Sequence, residues 1–143
     1  MRLYLDASVL VPLVVKEPSS KVVTEWLDDR ATAVKLVSEF GAAEVVSALS
    51  RQVRMRLLSI AEANDAITRF EAIRLRGLRR VEVTDADLRF ASTYLRRFET
   101  QLRTPDALHL ALTHRSGATL VTRDGGLARA AEMLGVPVEP VRA

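Results

Sequence analysis

Four acidic residues of this chain stand where an ordinary surface acid would not. Asp6 follows directly on the apolar run RLYL, inside the stretch RLYLDASVLVPLVV at residues 2–15. Asp124 follows a second apolar run in LVTRDGG. Asp106 falls in the first turn of the helix that TPDALHLALTHRSG (104–117) predicts, where free N–H groups and the helix dipole stabilise an anion. Glu44 lies among the small and apolar residues of FGAAEVVSAL. Most other acids have plain explanations. Asp28 and Asp29 end a helix beside Arg30, Glu62 belongs to a cap, and Glu71, Glu82 and Glu99 suit solvated positions. The four also have plain readings one at a time: Asp106 as a common first-turn residue, Asp124 as a helix cap, Glu44 as a side chain reaching solvent. Asp6 is the hardest to dismiss, because the chain around it is so apolar.

Taken together the four point to one chemistry. Carboxylates that converge within several ångströms repel, and their pKa values rise until some protonate. A divalent cation removes that cost. Oxygen ligands without cysteine or a histidine pair favour a hard ion, Mg²⁺ or alternatively Mn²⁺, over zinc. The reaction that uses such a cluster is phosphodiester hydrolysis, in which metal activates water, orients the phosphate and offsets developing charge. Asp6 is then most simply a metal ligand. Glu39 lies five residues before Glu44, about 140° away on a helix, so both cannot face one pocket. Glu44 is preferred for its small neighbours, and Glu39 suits a helix start. His109 is one turn after Asp106 and could approach the site, although ALHLAL reads as core-facing; His114 suits a helix C-terminus.

The elements that must position these residues follow from pattern and punctuation. Residues 2–5 read as a strand ending at Asp6. Ser8 is expected to cap a helix running to about residue 16, with Pro12 still in its first turn. Pro18 and Ser19 open a helix with Val22, Val23, Trp26 and Leu27 on one face. TAVKLV (32–37) is a strand, and a long helix follows over about 39–56. SIAE (59–62) is a capping box for a helix ending at Gly77, a candidate left-handed cap. RRVEV (79–83) is a strand, and Thr84 caps a helix from 85 to about 98. Thr104 is expected at the N-cap and Pro105 at the first helical position of the next helix, which Gly117 terminates. ATLVT (118–122), a helix over 125–134 closed by Gly135, and a final strand in VPVEPV complete the chain, with Pro137 suited to a sheet edge. Alternation of this kind predicts a three-layer α/β/α fold around a mainly parallel, about five-stranded sheet, with ligands at the carboxyl ends of the strands.

The bulk composition agrees. The 143 residues suit one domain with a real core, and 48% hydrophobic with 27% charged residues is ordinary globular usage. Absence of cysteine excludes disulfides, thiolate catalysis and thiolate metal sites. No apolar run reaches the ~18 residues of a membrane span, and no signal-peptide pattern opens the chain, so a cytoplasmic location is expected. Among the basic residues only Lys16, Lys21 and Lys35 are lysines, at a net charge of +3. Arginine's fork suits a polyanionic partner, and codon bias with solvated helix faces explains the same residues without one.

At these residues the sequence resembles a PIN domain, and more closely a VapC-type toxin ribonuclease. YLDASVLVPLV resembles the family's first-strand aspartate segment and SEFGAAEVVSALSR its central glutamate helix. TPDALHLALT resembles its third acidic motif and LVTRDGGLARAAEMLGV its fourth. The four motifs stand in order over essentially the whole chain, implying one PIN domain across 1–143. The resemblance implies that Asp6, Glu44, Asp106 and Asp124 form the catalytic acidic quartet, with Asp6 and Asp106 the direct ligands of Mg²⁺. Glu44 and Asp124 would complete the site directly or through metal-bound water. Ser8 and Thr122 occupy positions where the family often has a hydroxyl that orients the acids. The resemblance also implies cleavage of RNA, homodimerisation and inhibition by a cognate VapB-type antitoxin.

Three other readings compete. A phosphorelay receiver domain needs an aspartate on its third strand, a lysine on its last and an acidic pair at its first. VPVEPV has no lysine, and Asp6 stands alone. A PIN-like module that binds RNA or protein without cutting has no evident reason to keep all four acids. A DNA or flap nuclease with the same site would need room for an arch or clamp that this short chain lacks.

Overall fold

The computed structural model describes residues 1–142. Its chain runs β1 (Arg2–Leu5), α1 (Ala7–Leu10), a 3₁₀ turn (Val11–Leu13), α2 (Ser20–Asp28), β2 (Val34–Ser38), α3 (Glu39–Arg54) and α4 (Ile60–Gly77). There follow β3 (Leu78–Val81), α5 (Asp85–Leu95), a second 3₁₀ turn (Phe98–Thr100), α6 (Thr104–Arg115), β4 (Thr119–Thr122), α7 (Gly125–Met133) and β5 (Val138–Pro140). The strands form one sheet in the order β3-β2-β1-β4-β5, every neighbouring pair parallel. Tyr4 of β1 is registered with Leu36 of β2 on one side and Leu120 of β4 on the other.

The side-chain alternation of the strands divides the core into two layers. Leu3, Leu5, Val37 and Val121 face α1 to α4, where they meet Val9, Val23, Val45, Leu49 and Phe70. Tyr4, Leu36 and Leu120 face the opposite way, onto Leu108, Leu110 and Leu112 of α6 and Leu127 of α7. Helix α6 is buried from Ala107 through Thr113 on every side, because α5 covers the face that the sheet does not. Chain order reverses about β1, whose neighbours β2 and β4 leave it in opposite directions along the sheet. The crevice beyond the carboxyl ends of β1 and β4 is therefore the expected ligand position of this topology. No helix among the described residues is long and apolar enough to cross a membrane.

Several local expectations are corrected. Asp6, not Ser8, stands at the N-cap position of α1, which spans only four residues before tightening into the 3₁₀ turn. With the start moved back two residues, Pro12 falls beyond the first turn, where its missing N–H interrupts the α-helical ladder. Thr104 is the first residue of α6 and Arg103 occupies the N-cap. Pro105 is tolerated in either register, because the first four N–H groups of a helix have no intrahelical partner. Gly77 is not left-handed: the chain passes from α4 straight into β3 with no reversal for such a residue to make. Gly117 and Gly135, at φ of 61° and 71°, do take that role after α6 and α7. Helix α5 stops at Leu95, short of the expected 98. The capping boxes Ser59–Glu62 and Thr84–Asp87 are formed, the latter with an aspartate at its third position.

Candidate active site

Asp6 leaves β1 at the centre of the sheet and is only 5% exposed. Its backbone carbonyl accepts from the N–H groups of Val9 and Leu10, and its side chain caps nothing, so both carboxylate oxygens are free for other partners. Ser8 Oγ donates to Oδ1 at 2.5 Å and Thr122 Oγ1 donates to Oδ2 at 2.6 Å. The same hydroxyls accept backbone N–H groups of the turn that follows β4, Ser8 from Arg123 at 2.8 Å and Thr122 from Asp124 at 3.0 Å. Two hydroxyls thus fix the Asp6 carboxylate and the turn that carries Asp124 in one step. Burial pushes the Asp6 carboxyl above its ordinary value; the two hydroxyls work against that rise, and the Glu44 charge adds to it.

Asp124 is both a cap and a member of the acidic group. Its Oδ1 accepts from Gly126 N and Leu127 N at 2.9 and 3.2 Å, closing the start of α7. It also lines an open cleft of about 250 Å³ with Asp106, Gln101 and Arg129. The Asp106 carboxyl is held above its ordinary value, first by partial burial, next by the charge of Asp124, with Glu44 adding to the rise. Arg129, assigned no role from sequence, is the cation of that cleft.

Glu44 lies on the second turn of α3 with its side chain about one-third exposed. It is engaged by His109 Nε2 and borders a separate, larger groove of about 740 Å³ beside Ala7, Ser47 and Arg51. Glu39, five residues earlier, turns to Arg74 Nη2 at 2.6 Å instead. His109 is therefore both what its sequence context suggests, a buried residue at 3% exposure, and a direct partner of the acidic group. His114 lies elsewhere, stacked on Phe90 with ring centroids 5.0 Å apart.

None of the four acids bonds directly to another among the described residues: Asp6 is held by Ser8 and Thr122, Glu44 by His109, and Asp124 by the start of α7. The Glu44 charge adds to the rise at both Asp6 and Asp106, and the Asp124 charge adds to it at Asp106. Among the described residues, no three carboxylate or imidazole groups already form a metal-ligand set. Glu44 is drawn toward His109 and Asp124 toward the start of α7. The donor chemistry nevertheless suits a hard cation, since magnesium ordinarily takes one or two protein carboxylates and completes its shell with water. Burial first, and neighbouring acids after it, hold the Asp6 and Asp106 carboxyls above their ordinary values, and a cation would offset that cost. Sequence reasoning missed Tyr4 and Ser38, which stand behind His109. A serine directly before a helix start and a phenol in a strand with both faces covered were the available signals.

The sequence model of the PIN domain family matches residues 3–133. Ribonuclease VapC35 of Mycobacterium tuberculosis is 33% identical over 141 residues, covering 95% of this chain and 94% of the relative. Ribonuclease VapC46 of the same organism is 32% identical over 140 residues, covering 95% of each. The crystal structure of VapBC2 from Rickettsia felis, bound to a DNA fragment from their promoter, superposes with a TM-score of 0.74 over 99% of this chain and 100% of that one. At 16% identity that last likeness is one of fold. By the family match and by relatives aligned over nearly their whole length, the chain belongs to the PIN domain family.

Proposed function

We propose that this protein is a metal-dependent endoribonuclease, the toxin of a VapBC-type toxin–antitoxin pair, that hydrolyses RNA phosphodiester bonds. The observation that carries the reading is Asp6: a buried carboxylate at the sheet's topological switch, with each oxygen held by a hydroxyl and its charge disfavoured by burial. Such a group is costly to keep ionised unless a cation meets it. The ribonuclease names of the VapC relatives support the reaction class.

In this reading Asp6 and Asp106 would hold Mg²⁺, or Mn²⁺ in its place, and Glu44 and Asp124 complete the acidic group directly or through water. The ion, when bound, supplies Lewis-acid polarisation of the scissile phosphate and a more acidic water. The protein's own work is positional. Ser8 and Thr122 aim the Asp6 oxygens. The start of α7 holds Asp124, and Arg129 offers a cation in the cleft to the RNA backbone.

The partners belong to the same proposal: an RNA substrate, a VapB-type antitoxin that inhibits, and a second copy of the chain. Exposed apolar residues where α3 gives way to α4, Met55, Leu57 and Ile60 at 55, 65 and 70% exposure, would give surface for the antitoxin or the dimer contact. The deciding experiment incubates the purified protein with structured RNA, with and without EDTA, and with Mg²⁺ or Mn²⁺ restored. Cleavage that stops on chelation and returns with either ion supports the proposal. Cleavage that survives exhaustive chelation removes the metal, and binding of RNA without cleavage under every condition removes the enzyme.

A further inference from the structure

Behind Glu44, buried side chains from three elements form an unbroken chain. Ser38 ends β2 and caps α3, its Oγ accepting the Gly41 N–H at 2.9 Å. The Tyr4 hydroxyl, on β1, stands 2.8 Å from Ser38 Oγ and 2.8 Å from His109 Nδ1. His109, on α6, then meets the Glu44 carboxylate of α3 through Nε2. Ser38 and Tyr4 are 0% exposed and His109 is 3% exposed, so the protons of this chain must find their partners within it.

Counting those protons gives the chain one direction. Ser38 Oγ accepts from Gly41, and the acceptor that stands within reach of its own proton is Tyr4 Oη, so the serine donates to the tyrosine. Tyr4 then spends its proton on His109 Nδ1, which must be the bare ring nitrogen. The ring's proton is left on Nε2, facing a carboxylate that can only accept. Run backwards, the chain strands the Ser38 hydroxyl proton without an acceptor in a fully buried place, which costs its desolvation. Phe40 stands edge-on to the imidazole, with centroids 5.5 Å apart, and restricts the ring's rotation.

We propose that His109 is a positioning residue for Glu44, fixed as its Nε2–H tautomer by the Ser38–Tyr4 hydrogen-bond chain. The role in turnover rests on the nuclease reading above; the tautomer does not. Ser38 acts twice, since the hydroxyl that starts the chain also caps the helix on which Glu44 rides. Outer partners of this kind fix ring orientation and are worth roughly 10–100-fold in activity when removed.

Long-range ¹⁵N–¹H correlation spectra of the full chain, without RNA or metal, test the tautomer directly. The chain has two histidines, and a His114→Asn variant assigns them. The expected result near neutral pH is a bare Nδ1 and a protonated Nε2 on His109, with the Nδ1 resonance displaced in Tyr4→Phe by loss of its hydrogen bond. A protonated Nδ1 in the unaltered protein, or an Nδ1 resonance that Tyr4→Phe leaves unmoved, overturns the proposal. In turnover, His109→Leu should lower kcat about 10–100-fold with KM for RNA little changed. His109→Gln, which can donate from near the same point, should recover part of the loss. Equal loss in both variants, or a loss confined to KM, overturns the positioning role. If His109→Leu does not fold, Tyr4→Phe decides on both spectra and kcat. A protein that cleaves no RNA overturns the nuclease reading and leaves the nitrogen spectra to judge the tautomer.

Discussion

Thr122 Oγ1 donates to Asp6 Oδ2 at 2.6 Å, tying the end of β4 to the end of β1 across 116 positions of sequence. The same hydroxyl accepts the Asp124 N–H, so one side chain sets two of the four acids. Thr122→Val keeps the shape and removes the hydroxyl. It should destabilise by about 1–3 kcal/mol, because a buried carboxylate oxygen and a backbone N–H lose their partner. RNA cleavage should fall roughly 10–100-fold. Thr122→Ser should restore both, and a serine variant no better than valine in urea unfolding and cleavage would contradict this account.

Asp6→Asn should separate activity from stability. Burial holds the Asp6 carboxyl above its ordinary value. An acid whose folded-state pKa is raised contributes stability at low pH that is lost as pH rises through that folded value. At pH 7 its charge is therefore a cost to the metal-free fold, and Asn removes the cost. The expected outcome is a Tm equal to or above that of the unaltered protein, with cleavage reduced by more than about 100-fold. Undiminished metal-dependent cleavage in this variant would eliminate Asp6 as a ligand.

The two glutamates of α3 should behave oppositely. Glu39→Gln loses an exposed pair with Arg74, worth about 0–1 kcal/mol, and should leave cleavage unchanged. Glu44→Gln should cost at least about tenfold in kcat. Steady-state kinetics of both variants settle the assignment, and similar losses in the two would mean that it is wrong.

Asp87 gives the fold an acid-sensitive pair. Its buried carboxylate takes Arg115 Nε on Oδ1 at 2.6 Å and Nη2 on Oδ2 at 2.9 Å, joining α5 to the end of α6. Burial works against the charge, but Arg115 and the Thr84 hydrogen bonds outweigh it and hold the carboxyl below its ordinary value. A lowered carboxyl contributes stability that is present above its unfolded value, about 3.9, and lost as pH falls through the folded one. Arg115→Ala should cost about 1–2 kcal/mol at pH 7, moderated by the half-exposed arginine. The gap between the two proteins should close below about pH 4 in urea titrations. A gap independent of pH would show that the pair contributes packing alone.

The α/β alternation, the strand ends and the four acids were legible because they are written in local signals. Strands alternate with period two and helices with period 3.6, and Ser59, Thr84, Gly117 and Gly135 punctuate them within one turn. The divergence of Glu44 and Glu39 was legible for a related reason: about 140° of helix separates them, so Glu44 meets His109 while Glu39 meets Arg74. The misplaced starts of α1 and α6 have a shared cause. Ser8 and Thr104 are competent caps by type, but Ser8 spends its hydroxyl on Asp6. At α6, Pro105 fits a register shifted by one residue equally well.

By itself the sequence determined the parallel α/β layering, the placing of Asp6 and Asp124 after strands, and the four motifs of a PIN domain, all of which depend on residues within a few positions of each other. Only the tertiary structure decided that Thr122 reaches Asp6 and that Arg115 reaches Asp87. It also decided that Tyr4, Ser38 and His109 stand in line behind Glu44. These contacts join side chains as much as 116 positions apart, and a hydrogen bond is made or lost over a few tenths of an ångström. Such distances are fixed by how the sheet and helices pack, which no local pattern of residue types specifies.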